Sequence, residues 1–290
     1  MNDYIVRAVA MGGTLLAYAS TTKNTVEEAR RIHGLSPLAC AALGRCLTMA
    51  GMMGAMIKSD KDSVTIQING NGPLGKIVAC SDSRAKVKGY LSNPDIYLPP
   101  RSDGKLDVGS AVGREGTLTV IRDMGLKQPY IGKVQLITGE IAEDFTNYYA
   151  RSEQIPSSVG LGVLVGVDGS CKAAGGFVIQ LMPGFPQEKI GMIEERVGKL
   201  SAVTKHLGSG KNPEYILNLL LGDMELAILD RIETTYECDC NMERVEKAIC
   251  SLGKTEIEKL VQDNEPLEII CEFCGKRYRV ESDKMYEMLE

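Results

Sequence analysis

Four cysteines near the C-terminal end constrain what this chain can fold into more than any other feature: Cys238-Asp239-Cys240 and Cys271-Glu272-Phe273-Cys274. They read C-x-C, thirty intervening residues, then C-x-x-C. Each pair offers two thiols from one bend of backbone, and two such pairs on a short folded segment meet the needs of a tetrahedral all-thiolate zinc site. Gly275 follows the second pair directly, as suits a knuckle in which the backbone turns tightly through positive φ. The spacing therefore predicts one Zn²⁺ held by Cys238, Cys240, Cys271 and Cys274. Two roles stay open on spacing alone. Most all-thiolate zinc sites are permanent structural ones, and the alternative is a site whose thiols are read by oxidants.

At 290 residues the chain is long enough for one good core and one or two smaller units. With no Trp and only 4 Phe, the core must be filled by aliphatic side chains and the 13 Met. The opening residues alternate like a strand, with no basic stretch leading into an apolar one, so no signal peptide is expected. Nine cysteines without such a signal point to a reducing compartment, and the expected location is the cytoplasm. Residues 236–290 carry 8 Lys/Arg against 14 Asp/Glu, which concentrates negative charge around the cysteines. A zinc ribbon that grips nucleic acid needs a basic face to displace counterions from phosphate. This segment has the wrong sign, and nucleic acid is not an expected partner.

The pattern along the chain predicts an α/β (α+β) core over residues 1–182, a helical linker over 183–235 and a small four-cysteine zinc-binding domain over 236–290. Strands are expected at 4–11 and 14–19, joined through Gly12-Gly13, then at 63–69, 76–80, 86–92, 116–122 and 131–138. Two more, at 159–167 and 172–182, flank the hairpin turn Asp168-Gly169. Thr25-x-x-Glu28 reads as a capping box for a helix that Gly34 ends, and Ser36-Pro37 as the start of a second helix reaching about Lys58. That second segment is apolar enough to raise the question of a membrane. Arg45 and three glycines inside it favour a helix buried in the core, so no membrane partner is expected.

In the linker, Asn212-Pro213 should open a very apolar helix. In the zinc unit, Asn241 caps a helix with Val245, Ala248, Ile249 and Leu252 on one face. Thr255-x-x-Glu258 opens another, and 267–270 and 277–280 form a short strand pair. So small a unit has few large apolar groups, and a metal or disulfide is the usual remedy.

With these residues in view the chain resembles the redox-regulated heat-shock protein 33 chaperone family. The resemblance rests on the cysteine pattern at the end of a chain of this length. It extends through Ala42-Leu43-Gly44-Arg45, the stretch from Gly70 to Gly75 (Gly-Asn-Gly-Pro-Leu-Gly), the stretch from Ser152 to Gly160, Ala174-Gly175-Gly176-Phe177, and the stretch from Gln180 to Gly184. It implies an ATP-independent holdase rather than an enzyme, inactive when reduced and zinc-bound, which binds unfolding client proteins and prevents their aggregation. It implies too that oxidation converts the ligands into disulfides Cys238–Cys240 and Cys271–Cys274, releases zinc, unfolds the linker and C-terminal unit, and leaves an active homodimer. Cys250 is an extra thiol that the motif does not require, and it reads as a bystander. The competing reading is a binding module whose zinc ribbon makes one constitutive contact, with the opposite dependence on reductant.

Other chemistry-bearing residues favour plain readings. The run from Gly70 to Gly75 lacks the Gly-Lys-Ser/Thr ending of a phosphate loop and precedes a strand, so it reads as a turn. Cys40, Cys46, Cys80 and Cys171 lie in apolar or small-residue surroundings, where inert buried thiols are the rule. His33 and His206 have no partner pattern for a catalytic pair. Glu140, Glu143 and Asp144 read as a solvated helix N-terminus.

Overall fold

The computed structural model describes residues 2–200, 202–262 and 265–287. The chain divides into two compact units, Met1–Glu237 and Cys238–Glu290.

The larger unit begins with β1 (Tyr4–Ala10) and β2 (Leu15–Thr21), a hairpin closed through a one-turn segment at Met11–Gly13, where Gly12 and Gly13 both take positive φ. Helices α1 (Lys23–His33) and α2 (Pro37–Ala55) follow. Next come β3 (Ser63–Asn69), β4 (Ile77–Asp82), β5 (Lys86–Leu91), the short α3 (Val108–Val112), β6 (Thr117–Asp123) and β7 (Tyr130–Gln135). Then α4 (Ala142–Tyr148) runs on into one wide turn, and β8 (Ser157–Val165) and β9 (Cys171–Leu181) form the second long hairpin. Helices α5 (Ile190–Lys199), α6 (Val203–Gly208) and α7 (Pro213–Leu221) precede β10 (Ala227–Glu233) and β11 (Thr235–Tyr236).

These strands make two sheets, ordered β10-β1-β2-β9-β8 and β11-β5-β4-β3-β6-β7. Every neighbouring pair is antiparallel except the two-residue β11 beside β5.

Helix α2 lies between the sheets and packs against strands of both. Its start follows from the sequence: Pro37 stands at the first helical position, and Ser36 Oγ accepts the Ala39 N–H at 3.3 Å. All but two of its 19 residues are buried, the exceptions being Pro37 and Arg45. A helix apolar on every side belongs in a core or a membrane. Here 94% of the apolar window is buried inside the protein, which settles the choice for the core. Met49, Met52 and Met53 fill space between the sheets as expected, and the helix stops at Ala55, one turn short of the expected end.

Arg45 reaches out of this apolar helix to Glu140, with Nη1 2.7 Å from Oε2 and 3.0 Å from the main-chain oxygen. Glu140 also takes Arg101 Nη1 at 3.2 Å and the Gly109 N–H at 3.3 Å. Asp144 is wholly buried. Its Oδ1 accepts the N–H groups of Ile137 and Thr138 at 2.7 and 3.1 Å, and its Oδ2 that of Ile141 at 3.0 Å. Of the three carboxylates expected on a solvated helix end, Glu143 is exposed as read, while Glu140 and Asp144 are structural. They satisfy main-chain donors where Ile141 is held at φ 74°, a local need that charge spacing does not reveal.

The central strands of the first sheet are buried on both faces. Alternation along its strands turns Ile5 and Tyr18 toward α2, and Val6, Ala8, Leu15, Ala17, Ala19 and Ile179 to the other side. That second face is covered by Ile193 of α5, Val203 of α6, and Ile216, Leu217 and Leu220 of α7. Phe177 joins it, and its ring occupies the space where a Cβ on the cross-strand Gly160 would stand, at 2.3 Å. Two of the motif stretches therefore meet in one contact. The Gly70–Gly75 loop is a turn between β3 and β4, as read from sequence. Gly70 presses so close to the end of α3 that a Cβ there would lie 2.3 Å from the Gly113 oxygen.

Two local expectations are corrected, and one short helix at residues 203–208 was not anticipated. Helix α1 starts at Lys23, not after Thr25, because the Asp3 carboxylate, distant in sequence, accepts both the Thr25 N–H at 2.7 Å and its hydroxyl at 2.8 Å. Residues 227–233, inside the segment read as all-helical, form β10 on the open edge of β1, clasped by Arg7 and Asp230 at 2.6 Å.

Replacing Asp144 by Ala strands three main-chain donors, and each buried donor left without a partner costs about 1–3 kcal/mol. Asp144→Ala is therefore expected to lower the urea-unfolding free energy of the larger unit by about 3 kcal/mol, allowing for partial relaxation. A loss below about 1 kcal/mol would show that water replaces the carboxylate.

Candidate metal centre

The C-terminal unit is built from α8 (Met242–Cys250), α9 (Lys254–Gln262), the antiparallel pair β12 (Leu267–Ile270) and β13 (Arg277–Val280), and α10 (Ser282–Glu287). Asn241 caps α8 as expected, its Oδ1 accepting the Arg244 N–H at 2.9 Å. Helix α9 starts at Lys254, so Thr255 is its second residue rather than its cap. Helix α10 had no counterpart in the sequence reading.

The unit's own core is small. Among the described residues, six side chains are buried in it (Val245, Ile249, Ile257, Tyr278, Val280 and Met285), with Cys240 and Cys271 packed at its edge.

The cysteines sit at two bends. Cys238 and Cys240 lead into α8. Cys271 and Cys274 lie in the β12–β13 turn, where Cys271 donates its N–H to the Lys276 oxygen at 2.9 Å and accepts that of Gly275 at 2.8 Å. Gly275 takes φ 71°, the left-handed conformation expected of it.

The four Sγ atoms lie within 4.8 Å of one another. The closest approaches run between the pairs, 3.7 Å for Cys238 to Cys271 and 3.4 Å for Cys240 to Cys274. A tetrahedron with metal–sulfur bonds of about 2.3 Å has sulfur–sulfur edges of about 3.8 Å. A disulfide would bring two sulfurs to about 2.05 Å, and none of the nine cysteines is so bonded. The four thiols could hold a metal ion, and their soft donors and geometry fit zinc. Each is half-buried, so solvent and small oxidants can reach them.

Their electrostatics are uneven. Burial works to raise the Cys240 thiol, but hydrogen bonds from Tyr278 Oη and the neighbouring thiols outweigh it and bring it down to about 7. Burial pushes Cys238 and Cys274 up. Tyr278 lies 3.0 Å from Cys240 Sγ through its hydroxyl, with Lys276 Nζ 5.0 Å from its ring centre. The sequence reading had not singled out Tyr278. The signal was the alternation Arg277-Tyr278-Arg279-Val280, which turns the two uncharged residues inward.

The remaining candidates stay apart from this cluster. Cys40, Cys46 and Cys171 are buried, and burial pushes the Cys40 and Cys171 thiols up to about 12. Cys80 is half-buried and lies 3.4 Å from Thr65 Oγ1. Cys250 is exposed at the end of α8. His33 meets Tyr236 Oη at 3.1 Å, and His206 lies tilted against the Tyr215 ring. Among the described residues the four cysteines are the one cluster of this kind.

Comparison with known proteins agrees over the whole length. The family model described as Hsp33 protein matches residues 3–281. The 33 kDa chaperonin of Thermoanaerobacter sp. (strain X514) is 50% identical over 289 residues, covering 100% of this chain and 98% of the relative. That of Clostridioides difficile (strain 630) is 46% identical over 290 residues, covering 100% and 99%. The crystal structure of the 33 kDa chaperonin (heat shock protein 33 homolog) from Thermotoga maritima superposes with a TM-score of 0.89 at 37% identity, covering 100% of this chain and 98% of that one. The match runs along almost the full chain in both sequence and fold, and this chain belongs to the Hsp33 family of chaperones.

Proposed function

We propose that this chaperone is a redox-switched, ATP-independent holdase of the cytoplasm. Reduced, it holds one Zn²⁺ on Cys238, Cys240, Cys271 and Cys274 and is inactive. Oxidised, it carries disulfides Cys238–Cys240 and Cys271–Cys274 and captures unfolding proteins under oxidative and heat stress. The observation that carries this reading is the convergence of four half-buried sulfurs in a unit whose core, among the described residues, has six buried side chains.

Bound zinc would supply a divalent charge that keeps four thiolates together and a cross-link between the two bends. Such sites contribute about 10–16 kcal/mol of apparent folding free energy, more than a core of this size is expected to contribute alone. The thiolates do the redox chemistry. One attacks hydrogen peroxide at oxygen, breaking the O–O bond to give a sulfenic acid and hydroxide. The second thiolate of the pair then displaces hydroxide to form the disulfide, so two electrons have passed to the peroxide. Disulfide sulfur is a poor ligand, so either oxidation weakens the hold on the ion and with it the fold of the unit.

The larger unit offers a client surface of the right chemistry. The face of the first sheet lined by Val6, Ala8, Leu15, Ala17, Ala19 and Phe177 is apolar and broad, and α5–α7 cover it. These helices have 10, 6 and 9 residues, too short to persist alone. Arg196 ties α5 to the end of α7 through Asp223 at 2.6 Å, an exposed pair worth little. In the proposed active state the helices leave, and the uncovered face binds extended apolar segments of clients. Contiguous apolar surface of this kind is normally hidden in a monomer, and its exposure also favours the proposed homodimer of the oxidised form.

Light scattering by a heat-unfolding client, with reduced zinc-loaded or peroxide-treated protein added, tests the switch. Suppression by the oxidised form alone is expected. Suppression by the reduced form alone would favour a constitutive zinc-ribbon contact, and equal behaviour would return the cysteines to structural metal binding.

Cys271→Ser is expected to bind zinc at least 100-fold more weakly in reductant, consistent with loss of one thiolate from an all-thiolate site. Its C-terminal unit should be open to limited proteolysis even without oxidant. A variant that kept both zinc and a protease-resistant unit would remove the coupling of metal to fold.

A further inference from the structure

The hydroxyl of Tyr278 lies 3.0 Å from Cys240 Sγ, within hydrogen-bonding reach of the sulfur. The ring is held in place from three directions. Its strand pairs with β12, setting Tyr278 opposite Ile269. The side chain is 6% exposed within the small core formed with Val245, Ile249, Ile257, Val280 and Met285. Lys276 Nζ stands 5.0 Å from the ring centre. The phenol therefore has little freedom, and its one polar atom is aimed at a sulfur.

We propose that Tyr278 is a positioning residue of the cysteine cluster, whose hydrogen bond to Cys240 tightens metal binding and slows the thiolate's attack on peroxide. The inference rests on the metal reading above and deepens it, since it names a residue that sets how much oxidant the switch requires. An O–H donated to a thiolate draws electron density from sulfur. That stabilises the ionised ligand against reprotonation, and it leaves the sulfur a weaker nucleophile toward the O–O bond. Outer partners of metal ligands commonly contribute 10–100-fold to affinity. Tyr278 also joins the ligand cluster to the core of its unit. The group that restrains the sulfur is thus itself fixed by the packing that metal loss would dissolve. Once a first disulfide forms and the packing loosens, the restraint on Cys240 goes with it, so the second oxidation proceeds unprotected.

Tyr278→Phe keeps the ring and its packing and removes only the donor. In the full-length reduced protein, zinc affinity is measured by competition with a chromogenic chelator, and zinc release is timed after adding hydrogen peroxide. Affinity is expected to fall about 10-fold, and release to quicken several-fold. The same variant loaded with Co²⁺ gives a readout that a packing defect does not imitate. The tetrahedral ligand-field bands should persist while the thiolate-to-cobalt charge-transfer band moves to lower energy. Tyr286→Phe, which removes a half-exposed phenol on α10, is the control and should leave all three measurements unchanged.

Unchanged release and an unmoved band in Tyr278→Phe overturn the assignment. So does faster release without a band shift, or loss of the tetrahedral bands, because either traces the effect to the ring rather than to the hydrogen bond. If the unaltered protein takes up neither Zn²⁺ nor Co²⁺, the metal reading itself fails, an outcome distinct from the failure of Tyr278 alone.

Discussion

Four thiols gathered within 4.8 Å cannot all ionise together unless a cation shares the space. That constraint governs the C-terminal unit. Among the described residues, its helices and hairpin bury six side chains, and two of the four cysteines lie at the rim of that core. The thiol cluster and the packing are therefore contiguous, and in the proposed zinc-bound state each would support the other. A site placed on a stable domain could lose its metal with little consequence. Placed here, a metal site would make ligand chemistry decide whether the unit folds, which is the property the proposed switch needs.

The larger unit answers a different demand. Its first sheet must be apolar on both faces, because α2 lies against one and α5–α7 against the other. The two covers differ in kind. Helix α2 is 19 residues long, buried on all sides and shared between two sheets, so removing it would dissolve the fold. Helices α5–α7 are short, touch one face only, and carry their polar sides outward. If the short helices detach, as the proposed activation requires, the sheet keeps one cover and presents its other apolar face. The edge strand β10 follows those helices in sequence but belongs to the sheet, hydrogen-bonded along β1 and clasped by Arg7. It marks where the tightly held part of the chain resumes.

Much of this was legible in the sequence because its signals are local. Ser36-Pro37, Asn212-Pro213 and Asn241 each cap the helix they were expected to cap, and the strands at 63–69 and 277–280 follow the alternation of their residues. The cysteine spacing gave the composition of the site for the same reason, with two ligands on each bend. What escaped depends on partners distant in the chain. The start of α1 is set by Asp3, some twenty residues earlier. The buried role of Asp144 follows from three main-chain donors whose orientation no charge pattern encodes. Strand β10 exists because β1 has an open edge to receive it. Tyr278 escaped because a phenol near a C-x-x-C pair has no motif, only a distance.

The chain has nine cysteines, and a switch works only if oxidation is confined to the intended ones. Peroxide reacts with thiolate, so selectivity is set by ionisation and access. Cys40, Cys46 and Cys171 are removed on both counts, for burial closes them to solvent and raises their thiols far above neutrality. Cys250 is exposed but stands outside the cluster. The four clustered cysteines combine partial exposure with neighbouring thiols, whereas Cys80, also half-buried, lies 3.4 Å from Thr65 Oγ1 and outside the cluster. In the proposed switch, reactivity would therefore be concentrated where a new disulfide and the loss of a metal ligand are the same event.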